Sequence, residues 1–192
     1  MKKPFLTLIL FNLTFGLTLP TTSTRAEEKT RVTPSQVIDQ LNQLSKMREG
    51  LASSLVGRSS QDPITADTFQ KVCAPVGKAL REWASSSGVH AQQLATRFRN
   101  PTNQAQGTDA KLIQAWEKDP SQLTAVFTSV RDGKPGMQIV QRIPVAEGCL
   151  QCHGEKSSRP DFIQKKYIND QAHSFRVGDL RGIFSVWIPD ES

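Results

Sequence analysis

Five consecutive residues, Cys149-Leu150-Gln151-Cys152-His153, limit what this chain of 192 residues can become more than any other feature. In a helical turn, residues three and four apart share a face, so both thiols and the imidazole can be presented to one side. That is the arrangement in which two cysteines form thioethers with porphyrin vinyl groups and the next histidine ligates the iron, the attachment signature of haem c. One short segment therefore specifies a cofactor (a single covalent haem c), its attachment at Cys149 and Cys152, and one iron ligand, His153.

Two other chemistries use a Cys-x-x-Cys pair. A zinc site needs two further ligands, ideally a second pair at similar spacing, and the chain offers only Cys73, His90 and His173, each isolated. A thioredoxin-like redox pair opens a helix after a strand in a βαβ unit and has no need of an adjoining histidine. Both fit less well than haem.

The N-terminus agrees with the motif. Lys2 and Lys3 precede a mostly apolar stretch from Pro4 to Leu19, and Thr24-Arg25-Ala26 offers small residues where a signal peptidase reads. Residues 1–26 are expected to be a signal peptide and residues 27–192 a single domain, exported to the periplasm or thylakoid lumen, where haem c attachment belongs. Retention of the segment as an anchor is the lesser alternative, and no later stretch approaches the ~20 apolar residues of a membrane span. Removing Lys2, Lys3 and Arg25 takes the formal net charge from +6 to +3 and leaves 166 residues, enough for one sizeable core. Scattered basic residues without an aromatic-interleaved patch give nucleic-acid binding no support. Cys73 is left unpaired in an oxidising space, so it should be buried, coordinated, or both.

The periodicity predicts helices first and strands later. Thr33 is a candidate N-cap with Pro34 at the first helical position, and the helix runs toward Leu55 through Val37, Leu41, Leu44 and Leu51. A second helix is expected from Ala66 to Ala84, kinked or restarted just after Cys73 by Pro75. Val89 to Phe98 reads as another helix, and a short one, capped by Thr108 or Asp109, ends near Glu117. Val126–Val130 and Met137–Val145 read as strands joined through Asp132–Gly136, Asp161–Ile168 as helical, and Ile183–Ile188 as a final strand. Helices followed by antiparallel strands argue for an α+β fold.

Four separated segments, Arg99-Asn100-Pro101-x-Asn103, Cys149-Leu150-x-Cys152-His153-Gly154, Tyr167-x-x-Asp170-x-Ala172 and Gly178-Asp179-Leu180-Arg181-Gly182, occur in the order found in a bacterial family of exported haem c domains of PAS-like fold. Over about residues 35 to 188 the chain resembles that family, and most of all its stand-alone, single-haem cyanobacterial branch. Ile168 and Ser174 depart from the family pattern in a loop. The resemblance implies a central antiparallel sheet flanked by helices, with a long N-terminal helix and haem held against the sheet. It also suggests Cys73 as the second axial ligand.

From the residues themselves, the second axial position stays open among Cys73, His90, His173, Met47, Met137 and no protein ligand. Cys73 lies on an apolar helical face beside Pro75, and an ordinary core cysteine would look the same. His90 and His173 sit in polar stretches, and packing explains both methionines. Arg97, Arg99, Arg176 and Arg181 are candidates to pair with haem propionates, with Arg99 and Arg181 preferred because they lie in the shared motifs. Trp83 and Trp187 are candidates to flank the macrocycle. The expected function is that of a sensor of redox state or of a small diatomic ligand, reporting to an unidentified partner protein and not itself an enzyme. An electron-transfer cytochrome is the alternative. No distal acid–base constellation suggests a haem enzyme.

Overall fold

Thr33 starts the first helix as the sequence implies. Its side chain accepts a hydrogen bond from the Gln36 amide, its own amide donates to Gln36 Oε1 at 2.8 Å, and Pro34 stands at the first helical position. In the computed structural model, which describes residues 31–58 and 62–190, this helix, α1, spans Pro34–Ser53 and buries Val37, Leu41, Leu44 and Ala52. The expected signal peptide, residues 1–26, lies outside the described residues. Among those described, no helix is long and apolar enough to cross a membrane.

Pro75 divides the next helical stretch. Proline has no amide hydrogen to continue the ladder, and its ring crowds the preceding turn. The chain forms α2 (Ala66–Val72), breaks at Cys73, and restarts as α3 (Ala74–Ser87). Gly88, at φ +70°, then ends α3 in the left-handed conformation that glycine adopts without strain.

Past Gly88 the chain does not form the helix expected over Val89–Phe98. His90–Leu94 form the edge strand β1. Its partner is far away in sequence: His90 lies opposite Trp187 and Leu94 opposite Ile183. Tertiary pairing with an apolar strand overrides a local pattern that could be read either way. After a 3-10 turn at Pro101–Asn103, α4 spans Gly107–Lys118.

β2 (Thr124–Arg131) and β3 (Lys134–Pro144) make a hairpin tighter than expected, its turn formed by Asp132 and Gly133, both at positive φ. Beyond β3 come two short helices, α5 (Leu150–His153) and α6 (Asp161–Lys166), and then β4 (Leu180–Pro189). The four strands form one antiparallel sheet in the order β1-β4-β3-β2. This is the expected α+β arrangement, a central antiparallel sheet flanked by helices.

Side chains alternate across the sheet, so each strand serves two layers. Ile139, Ile143, Phe184, Val186 and Ile188 face α1 and α3, where they meet Val37, Leu41, Leu44, Val76 and Leu80. Leu94, Val140 and Ile183 face the other way, onto Ile113 and Trp116 of α4. β4, inside the sheet and covered on both faces, is buried from Gly182 to Ile188. A third, smaller cluster joins Val145, Ala172 and Phe175 to Cys149 and Leu150. It fixes the Cys149–His153 segment to the end of the sheet.

Phe184 is fully buried at the centre of the main layer. Replacing it with alanine should cost about 3–5 kcal/mol in equilibrium urea denaturation. Ile168→Ala, at a side chain 89% exposed, should change stability by no more than about 0.5 kcal/mol.

Candidate functional site

The chain leaves β3 through a 3-10 turn, Glu147–Cys149, that feeds directly into α5. Gly148 makes this possible. A Cβ there would lie 1.8 Å from the Ala52 carbonyl oxygen, so only glycine lets the segment press against the end of α1. Arg48, one turn earlier on α1, donates to the Pro144 carbonyl and brings Nη1 to 3.5 Å from Cys149 Sγ. The long N-terminal helix thus grips both ends of the turn that carries the motif.

His153 is oriented by its other ring nitrogen. Nδ1 lies 2.7 Å from the Ala172 carbonyl oxygen, so Nδ1–H donates and Nε2 keeps the free lone pair. Arg99 Nη2 also comes within 3.4 Å of Nδ1, but two donors cannot bond each other, and the shorter contact defines the tautomer. Burial above all, and then the Arg181 and Arg99 cations, hold the imidazole's pKa well below its ordinary value. It is neutral, as a metal ligand must be.

The Ala172 carbonyl is itself held by an ion cluster. Asp170 has no side-chain exposure, and its Oδ2 accepts from Arg99 Nε at 3.2 Å and from Arg159 Nη1, while Oδ1 accepts from the Ala172 amide at 2.9 Å. Arg99 Nη2 then donates to the carbonyls of Cys152, at 2.6 Å, and Ala172, at 3.3 Å. One carboxylate therefore ties β1's exit, α5 and the 170–172 turn together. The structure gives Arg99 a role in this clasp, and Arg99 also lines the cleft.

Cys73, at the α2–α3 break, faces the motif across a cleft of about 360 Å³ that Cys149, Cys152 and His153 also line. That volume lies in the range of small-molecule sites. Cys73 belongs to none of the apolar clusters of the core and lines the cleft. Burial and then the neighbouring Cys149 push its thiol up to about 11, against the pull of Arg99, Arg48 and Arg181. Cys152 is pushed up to about 12 by burial and then by Cys73. The mutual effects show three thiols within electrostatic reach of one another, and none is in a disulfide.

Positive charge is in excess here. Arg48, Arg81, Arg99 and Arg181 line the cleft, and Asp170 is already shared by Arg99 and Arg159. Arg181 donates Nη1 to the Arg97 carbonyl at 3.1 Å, while its Nε, like that of Arg48, is buried with no partner among the described residues. Burial first, and then the neighbouring arginine Arg99, lower its pKa to about 10. An anionic group in the cleft would relieve the repulsion.

The remaining sequence candidates lie elsewhere. Arg97 donates to the His173 carbonyl and stacks over Phe175 at 3.7 Å, and Arg176 is exposed on its loop. His90, His173, Met47, Met137, Trp83 and Trp187 do not line the cleft. Trp83 and Met137 pack against the main core. Sequence reasoning missed Arg48, Arg159 and the orienting role of Asp170. Arg48 could have been found, because it falls on the inward stripe of α1 between Leu44 and Ala52, where a cation demands an explanation.

An α+β domain with a thiol- and imidazole-lined cleft at one end of its sheet is thus defined. The model of the Tll0287-like family matches residues 21–189, and the chain belongs to that family. Among solved structures it is similar to one described as the crystal structure of the cyanobacterial heme-protein Tll0287. The TM-score is 0.71 and the identity 39%, over 84% of this chain and 99% of that one. No curated protein matches the chain.

Asp170→Asn would leave the buried Arg99 and Arg159 without their counter-charge. It should lower stability by about 3–5 kcal/mol in urea denaturation. Arg176→Gln, at an exposed arginine outside the clasp, should stay within about 0.5 kcal/mol of the parent.

Proposed function

We propose that this chain is an exported haem c protein with one haem held in the cleft between Cys73 and His153. The observation that carries this reading is the convergence of Cys73, Cys149, Cys152 and His153 on one cleft rich in unpaired arginine charge. These side chains surround the cleft without meeting at a point: among the described residues no three His, Cys, Asp or Glu side chains come together as a site for a bare ion. Donors spread around a slot suit a flat macrocycle better than a zinc ion. The similar heme-protein adds to this reading.

In this assignment Cys149 and Cys152 are the thioether attachments and His153 Nε2 is the proximal ligand. Arg181 and Arg48 are the cations that meet the propionates. Haem bound there would supply a one-electron iron couple. Cys73 would hold it from the side facing His153. Its thiol, protonated at neutral pH in the protein alone, is turned toward thiolate by a cation in the cleft. A thiolate donates charge to iron and lowers its potential, which suits a sensor of redox state or of a small diatomic ligand better than a high-potential carrier. Were the positive charge in the cleft lowered by reduction, its hold on a Cys73 thiolate would weaken, so Cys73, at the start of α3, is the residue through which a redox event would reach the fold. The chain is read as a non-enzyme that passes this change to a partner protein in the periplasm or thylakoid lumen.

Two measurements test the assignment. The intact mass of protein exported from a host that matures c-type cytochromes should equal one haem plus a chain beginning at Glu27, and Cys149→Ser with Cys152→Ser should abolish covalent haem. Cys73→Ala should keep the haem and change the ferric paramagnetic resonance spectrum. A mass lacking haem removes the reading altogether. Unchanged spectra in Cys73→Ala, or identical ligation in both redox states with fast self-exchange, favour the electron carrier.

A further inference from the structure

Three glycines line the cleft: Gly77, Gly148 and Gly182. Two of them answer to the chain's own backbone. A Cβ on Gly148 would lie 1.8 Å from the Ala52 carbonyl oxygen, and one on Gly182 would lie 2.3 Å from that of Leu94. Side chains at these positions would collide with α1 or β1 whatever the cleft contained.

Gly77 has no such reason. It is the fourth residue of α3, and its φ is negative, as in any helix. Outside its own helical backbone, the one heavy atom within 4 Å of a Cβ built there is Arg81 Nη1, at 3.4 Å. That is an ordinary van der Waals distance to the end of a flexible, exposed side chain. The folded chain by itself would therefore accept alanine. Glycine inside a helix is destabilising relative to alanine, so Gly77 lowers the stability of α3 with no steric cause inside the protein.

Gly50, in α1, is the matched comparison. A Cβ there would also meet nothing, but Gly50 is exposed and does not line the cleft. What sets Gly77 apart is its place. Cys73 has near-helical dihedrals, φ −97° and ψ −36°, so Gly77, four residues on, shares its face of α3, and Arg81, four further, continues that face. All three line the cleft. The side that α3 turns to the cleft thus presents a thiol, then bare backbone, then a guanidinium.

A cysteine side chain is short, so whatever Cys73 holds is drawn close to the helix. The next residue along the same face then decides how near a broad ligand can come. A bare metal ion would leave position 77 free. A flat ring reaching a helical turn, about 5.4 Å, beyond the thiol would lie over it.

We propose that Gly77 is the specificity-determining position of the cleft. Its lack of a side chain lets a macrocycle lie against the backbone of α3 with Cys73 within bonding reach. This rests on the function proposed above and adds the residue that decides which ligand the cleft accepts.

The test compares Gly77→Ala, Gly77→Leu and Gly50→Ala in the full mature protein, produced in a host that attaches haem c. Intact mass first establishes one haem per chain in the parent, and its absence removes the haem reading and this inference together. In the loaded protein, Gly50→Ala should raise the urea midpoint, as alanine does in place of a helical glycine. Gly77→Ala should lower it and Gly77→Leu lower it further, although both residues are better helix formers than glycine. Both changes at position 77 should also alter the ferric paramagnetic resonance spectrum, which Gly50→Ala should leave unchanged. If Gly77→Leu does not fold, the single methyl of Gly77→Ala still decides. A Gly77→Ala midpoint no lower than the parent's, or a parental spectrum, overturns the inference and leaves the haem reading standing.

Discussion

The carboxylate of Asp170 holds together everything that makes the cleft. It lies where solvent cannot reach and is shared between two guanidiniums, and through Arg99 and the Ala172 amide it fixes the backbone on both sides of His153. A buried cluster of this kind contributes little net stability over an apolar substitute, yet is costly to break. Its contribution here is direction. With the Ala172 carbonyl fixed, His153 has one tautomer and one ring orientation, and Nε2 remains free for a ligand-bearing role.

The cleft's second requirement is that its two sides come from elements with independent support. Cys149–His153 is pinned by Gly148 against α1 and by the small Val145–Ala172–Phe175 cluster. Cys73 is carried by the break that Pro75 imposes between α2 and α3, and α3 is locked to the sheet through Val76 and Leu80. A change at the Cys73 end therefore reaches the core through α3 without first disturbing the clasp.

Much of this can be read from the residues because it is local. Thr33 and Pro34 declare a helix start, Pro75 a break, Asp132-Gly133 a turn, and Cys-x-x-Cys-His a cofactor, each through steric or covalent chemistry within a few positions. The features that escape such a reading are non-local. His90–Leu94 are a strand because Trp187–Ile183 lie opposite them, a pairing between distant segments that leaves no mark in the strand itself. Arg99 is visible as a motif residue, but its partners Asp170, Cys152 and Ala172 are brought to it only by the fold. Trp187 is apolar enough to flank a macrocycle, and the sheet turns it to the opposite face.

The central claim, carried by the proposed function, is that His153 and Cys73 of this cleft would both serve as ligands to the iron of one bound haem. Iron-edge X-ray absorption of the oxidised protein, matured in a host that attaches haem c, measures this without reference to any variant. The account predicts five nitrogen scatterers and one sulfur in the first coordination shell. A shell of nitrogen and oxygen alone would contradict it, because Cys73 would then face the cleft without binding what the cleft holds.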